Sequence, residues 1–134
     1  MRSETVRFGN TRGQELGGRL DLPEDGPGLP VGHALFAHCF TCTHNLRVVR
    51  EVSQRLVARG LGVLRFDFTG LGSSEGEFAH TTFTTNLDDL DAACAHMAEI
   101  GRPVGLLVGH SLGGAAVLAA ARGIDSVKAV ATIG

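Results

Sequence analysis

The sequence predicts an α/β fold: an open, mostly parallel sheet with helices on both faces and an antiparallel hairpin at its N-terminus. Three observations carry this. Short continuous apolar runs at residues 34–37, 63–66, 104–108 and 127–133 are bounded by glycine or proline, as strands covered on both faces require. Stretches with apolar residues at helical spacing lie between those runs. The first two strand-like segments instead alternate apolar and polar residues, which suits an edge hairpin with one solvated face.

Each element can be justified in order. Thr5-Val6-Arg7-Phe8 alternates and turns at Gly9-Asn10, and Gly18 to Leu22 alternates again up to Pro23. Three of the four prolines, Pro23, Pro27 and Pro30, then fall in one surface loop. After the run at 34–37, Leu46, Val49, Val52 and Leu56 form a helical stripe that ends at Arg59-Gly60, a cation followed by a C′ glycine. Leu87, Leu90, Cys94 and Met97 mark a second helix. Asp88, Asp89 and Asp91 fall in its early turns, the favourable end of the helix dipole. A third, alanine-rich helix runs over residues 112–122 and stops at Gly123. The order β-β-β-α-β-α-β-α-β implies right-handed βαβ units.

Composition limits function. The chain has 134 residues, one domain's worth, with 43% hydrophobic and 19% charged residues. A net charge of −2, without Trp or Tyr, provides neither a field for phosphate backbones nor platforms for bases. Nucleic acid is therefore not an expected partner. Three cysteines do not make a disulfide scaffold. No apolar run approaches the ~18 residues of a membrane span, and the first residues lead into no apolar signal segment. The expectation is a cytoplasmic protein that engages no membrane. The chain stops on an apolar strand, so residues 1–134 are expected to be the N-terminal portion of a single domain.

Ligands of open α/β sheets bind beyond the carboxyl ends of the strands. The strongest signal there is Gly109-His110-Ser111-Leu112-Gly113-Gly114, a G-x-S-x-G run directly between an apolar strand and an alanine-rich helix. That context defines a nucleophile elbow, in which a strained turn pushes the serine hydroxyl above the sheet. Gly109 and Gly113 are expected to be glycines because side chains there would strike the neighbouring strand or helix. The amides of the following helix favour the negative charge of a tetrahedral acyl intermediate. A dinucleotide fingerprint would need glycine at Ser111, and a phosphate-binding loop would need a lysine nearby.

The turn His38-Cys39-Phe40-Thr41-Cys42-Thr43-His44 should supply the second oxyanion amide, from Phe40, beside Leu112 N–H as the first. His38 reads as a structural histidine bracing that turn. Cys39-x-x-Cys42 before a helix also fits a thiol redox pair, which stays open as an alternative. A zinc site is disfavoured because its four ligands would crowd into seven residues with no second ligand pair. No metal and no cofactor are expected. In Asp67-Phe68-Thr69-Gly70-Leu71-Gly72-Ser73-Ser74 the aspartate reads as an acceptor for loop amides. Phe68, Phe78 and Phe83 are expected to wall the site or pack that loop.

These residues together resemble the α/β-hydrolase superfamily. The wording of the His38 turn, of Arg65 to Gly72 and of Ala129 to Gly134 is similar to bacterial hydrolases fused to a C-terminal OsmC-like domain. The resemblance covers the whole chain but only the first part of that family's hydrolase domain. It implies an esterase or related acyl hydrolase with Ser111 as nucleophile and the amides of Leu112 and Phe40 as the oxyanion hole. It also implies a small-molecule acyl substrate and an OsmC-like domain in the parent protein.

Two departures count. The family usually has His-Gly where His38-Cys39 stands. Its triad runs Ser, then Asp or Glu, then His, yet only Asp125 is acidic after Ser111 and no histidine follows. Asp125 precedes the last strand, at the wrong end of the sheet, and His110 leaves the elbow in another direction from Ser111. Loss of the triad histidine costs on the order of 10⁶ in kcat, so this chain alone is expected to be nearly inactive. A non-catalytic, hydrolase-like binding domain is the third reading.

Overall fold

The computed structural model of the protein describes residues 1–39 and 43–134. Its strands are β1 (Arg2–Gly9), β2 (Glu15–Leu22), β3 (Gly32–Ala37), β4 (Leu61–Phe66), β5 (Leu106–His110) and β6 (Ala129–Ile133). Its α-helices are α1 (Arg47–Ala58), α2 (Phe83–Glu99) and α3 (Leu112–Ala120), with short 3₁₀ turns at Phe78–His80 and Ala121–Gly123. The element order is the expected one. The six strands form one sheet in the order β1-β2-β4-β3-β5-β6. β1 with β2 and β2 with β4 run antiparallel, whereas β3, β4, β5 and β6 are mutually parallel.

Side-chain alternation along the strands builds two cores. Leu35, Leu64, Phe66 and Leu107 face α2 and α3, packing with Leu90, Met97, Ala116 and Val117. Ala34, Phe36, Val63 and Val108 face α1 and meet Val49 and Val57. The sheet is thus covered by helices on both faces. Phe36, Phe66 and Phe68 are fully buried, each contributing up to about 3 kcal/mol of transfer free energy. Helix α1 ends as its sequence indicates, with Gly60 at φ +92° and its amide on the Val57 carbonyl.

Three details differ from the sequence reading. β5 covers residues 106–110 rather than 104–108, because the ladder with β6 continues past the apolar run through Gly109 and His110. β6 is correspondingly shorter, at Ala129–Ile133. Helix α2 starts at Phe83, where Thr82 and Thr85 form a reciprocal capping box. Its first turn therefore holds no acid, and Asp88, Asp89 and Asp91 lie beyond the reach of the dipole. Asp89 does something else. Fully buried, it accepts hydrogen bonds from the Thr69 amide (2.8 Å), the Thr69 hydroxyl (2.7 Å) and the Arg12 guanidinium (3.0 Å). It thereby ties the β1–β2 turn and the loop after β4 to α2.

Among the described residues, no helix is long and apolar enough to cross a membrane.

Candidate active site at the strand carboxyl ends

Ser111 sits between β5 and α3 with φ 56° and ψ −119°. Among the described residues it is the only non-glycine at positive φ. Such a conformation costs of order 1–3 kcal/mol and persists only when its surroundings enforce it. Here they do so from both sides. The Ser111 amide still donates to Ile133 O at 2.8 Å, so the strand ladder holds its N-terminal side. Its carbonyl already accepts from the Gly114 amide at 2.9 Å, as the first turn of α3. The chain must reverse within one residue.

The flanking glycines leave no room for a side chain. A Cβ at Gly109 would lie 2.6 Å from Gly113 C and from Gly114 Cα, inside the first turn of α3. A Cβ at Gly113 would lie 2.6 Å from the carbonyl oxygen of His38, and closer still to that of Ala37. The elbow and the exit of β3 are therefore packed backbone against backbone. That contact brings the turn after β3 beside the serine.

Ser111 is exposed. Serine is a favoured helix N-cap, yet its side chain makes no capping bond to α3, and its hydroxyl has no hydrogen-bond partner among the described residues. Leu112, the first residue of α3, has no intrahelical acceptor for its amide. A hydroxyl and helix N-terminal amides thus share one exposed corner, the arrangement that stabilises a developing oxyanion. Phe40, the expected second donor, lies outside the described residues, as do Thr41 and Cys42.

A second constellation lies under this corner. Asp67 follows β4 and is fully buried. Its Oδ1 accepts from His38 Nε2 (3.1 Å) and the His44 amide (2.7 Å). Its Oδ2 accepts from His44 Nδ1 (2.5 Å) and from the amide and hydroxyl of Ser73, both at 3.0 Å. Burial alone would raise the carboxyl pKa. The bonds from the two imidazoles and from the Ser73 and His44 amides outweigh it and hold the group well below the usual carboxylate range. Gly72 makes this wrapping feasible: at φ +48°, a Cβ there would collide with the carboxylate itself.

Asp67 therefore accepts a loop amide as expected, but it also binds two histidines. His38 completes the brace through Nδ1, which donates to Cys39 O at 2.6 Å. The sequence reading missed His44, because its link to Asp67 joins two strand ends 23 residues apart and no local spacing records it. Phe68 packs below the loop against Phe66 and the edge of His38, so it belongs to the core. Phe78 is half-buried and Phe83 exposed.

Cys39 is disulfide-bonded. Cys94 is free and buried. Among the described residues no group of three or more His, Cys, Asp or Glu is arranged to hold a metal ion. A cavity of about 720 Å³ lies near Pro23 and Gly60, at the opposite end of the sheet from Ser111. It is not part of this corner.

The model of the alpha/beta hydrolase family matches residues 27–133. The chain belongs to that family. As an alpha/beta hydrolase it is 52% identical to the esterase domain of a Rhodothermus marinus protein, with a TM-score of 0.79 over 98% of this chain and 50% of that one. Est1E from Butyrivibrio proteoclasticus, solved with ferulic acid, is 28% identical, with a TM-score of 0.85 over 93% of this chain and 50% of that one. A serine hydrolase without lid from Xanthomonas campestris is 25% identical, with a TM-score of 0.84 over 98% of this chain and 61% of that one. The hydrolase chain thus spans about half the length of the first two structures. No curated protein matches it.

Proposed function

We propose that the protein is a serine hydrolase of esterase type that works through an acyl-enzyme on Ser111. The observation that carries this is the Ser111 backbone: a non-glycine held at φ 56°, with an exposed hydroxyl that neither caps α3 nor bonds elsewhere among the described residues. A fold does not hold strain of this kind at a serine for packing.

The steps follow. Ser111 Oγ attacks the acyl carbonyl as its proton passes to a base. The carbonyl oxygen becomes an oxyanion facing the Leu112 amide, with Phe40 N–H proposed as its second donor. The tetrahedral intermediate collapses, the alcohol leaves with a proton, and the acyl group stays on Oγ. Water then attacks the ester, assisted by the same base, and releases the carboxylic acid and free Ser111.

We assign the base and its orienting acid to the longer protein beyond Gly134. In this fold the acid and the histidine follow the serine in the chain, and all six histidines precede Ser111 in sequence. The similarity to an esterase domain and to Est1E supports an ester as substrate.

The test is turnover of a p-nitrophenyl ester by the full-length gene product and by Ser111→Ala. A loss of at least ~10³ in kcat is expected. Equal turnover by the two proteins would refute the acyl-enzyme on Ser111, and no turnover by the wild type would leave the non-catalytic reading in its place.

One observation favours a second activity at the same turn. Cys39 is disulfide-bonded, in line with a Cys39/Cys42 redox pair. Thiol counts before and after mild reduction decide it: two thiols appearing together at 39 and 42 support the pair, and none appearing removes it.

A further inference from the structure

We propose that the hollow between the β1–β2 hairpin and the start of α1 is a binding site for a small phosphoryl-bearing molecule, held between Arg19 and Arg50. The hollow measures about 460 Å³, and its walls include Arg7, Arg19, Arg50 and Arg65, with His44 and Asn45. Four of the chain's twelve cationic side chains therefore line one concavity in a protein of net charge −2.

Strand register brings them together. Thr5 lies opposite Arg19 on the hairpin, and Arg19 lies opposite Arg65 on β4. Arg7 is two residues beyond Thr5 on the same face. Arg50, on the first turn of α1, stands over that row. Gly17 leaves the space for Arg7, since a Cβ there would lie 2.9 Å from the Arg7 guanidinium.

The charges on this face do not cancel. Arg65 is buried and paired with Asp21 at 2.7 Å, with its remaining donors on His44 O and Asn45. Arg7 is paired with Glu15 and also reaches Ser73 O. Among the described residues Arg19 meets only hydroxyl and carbonyl oxygens, those of Thr5 (2.7 Å) and Ser3 (3.2 and 3.4 Å). Arg50 has no partner among the described residues. Nearby carboxylates are engaged elsewhere: Glu51 takes Arg47, and Glu4 takes Arg2 on the other face of the hairpin. Two guanidiniums are left without a counter-ion, one of them aimed by the hydroxyls beneath it.

Guanidinium forks approaching from a strand and from a helix suit an anion with several oxygens, which a phosphoryl group supplies. No Phe lines the hollow among the described residues, and the chain has no Tyr or Trp. The site is separate from Ser111. With β4 and β3 between them, β2 and β5 are three strand spacings apart, about 14 Å.

The experiment is calorimetric titration of the full chain with inorganic pyrophosphate and with a sugar phosphomonoester, at low and high salt. Variants are Arg50→Glu, Arg19→Gln and, as a control for charge alone, Arg122→Glu. We expect a Kd of about 0.1–1 mM, at least tenfold weaker in Arg50→Glu and unchanged in Arg122→Glu. Arg50 is exposed and unbonded, so its variant should keep the wild-type melting temperature. Equal affinity for both probes assigns the site to the phosphoryl group alone, and tighter binding of the ester adds an organic body. The proposal is overturned if neither probe binds at about 10 mM, or if Arg50→Glu binds as the wild type does. Because the readout is binding, it stands or falls independently of the chemistry at Ser111.

Discussion

Gly113→Ala tests the elbow most directly. The added Cβ would sit 2.6 Å from the His38 carbonyl oxygen and closer still to Ala37 O, both backbone atoms. Reaching ordinary van der Waals contact requires a displacement of roughly 0.8 Å from the His38 oxygen and more than that from the Ala37 oxygen, which no rotamer change can absorb. Either α3 must lift from the sheet or the end of β3 must bend away. Overpacking of a rigid site costs about 1–3 kcal/mol, and two backbone clashes place this variant at the upper end. At roughly 4 °C of melting temperature per kcal/mol for a domain of this size, the loss is about 10 °C. The matched control is Gly123→Ala, where a Cβ meets nothing within 4 Å. Thermal unfolding of both variants against wild type is the assay. If Gly113→Ala melts with Gly123→Ala, the close packing of elbow and β3 is refuted. In the full-length protein, Gly113→Ala should also lower ester turnover more than its lost stability explains, because the elbow that holds Ser111 is packed on the end of β3.

Other expected outcomes follow from the same geometry. Ser111→Gly should be more stable than Ser111→Ala by about 1 kcal/mol in urea unfolding, since glycine alone relaxes at φ 56°; equal midpoints would deny the strain. Asp67→Asn removes the buried carboxylate that holds His38 and His44 and should cost about 3 kcal/mol. The folded Asp67 pKa is depressed, so its stabilisation is complete above the unfolded value of about 3.9 and is lost as pH falls through and below it. Wild-type stability should therefore begin to drop near pH 5 and keep falling well below pH 3, and Asp67→Asn should drop less, with Asp21, shifted the same way, adding to the wild-type loss. Burial and the neighbouring Asp91 push the Cys94 thiol up to about 12. Alkylation of folded protein at pH 7 should leave Cys94 unlabelled, with mass spectrometry showing the adduct only after unfolding.

The local chemistry of the chain determined the architecture and singled out the corner proposed as the site. Apolar runs separated by helical stripes can be buried only as a sheet between helices, so the element order was legible without coordinates. The elbow was legible too, since a serine flanked by glycines at a strand-to-helix junction states its own steric requirement within five residues.

Tertiary structure decided what depends on contacts between distant segments. His44 reaches Asp67 across 23 residues, and Asp89 ties the β1–β2 turn to α2. Arg19 and Arg65 meet only because β2 inserts beside β4. Helix α2 begins earlier than its apolar stripe because its cap is made by two threonines rather than by acids. The α2 cap is local, and the other three share one reason. Periodicity and turn chemistry act over a few residues and are written in the sequence. Which buried carboxylate finds which cation or imidazole depends on how strands pair, and strand order exists only once the sheet has formed.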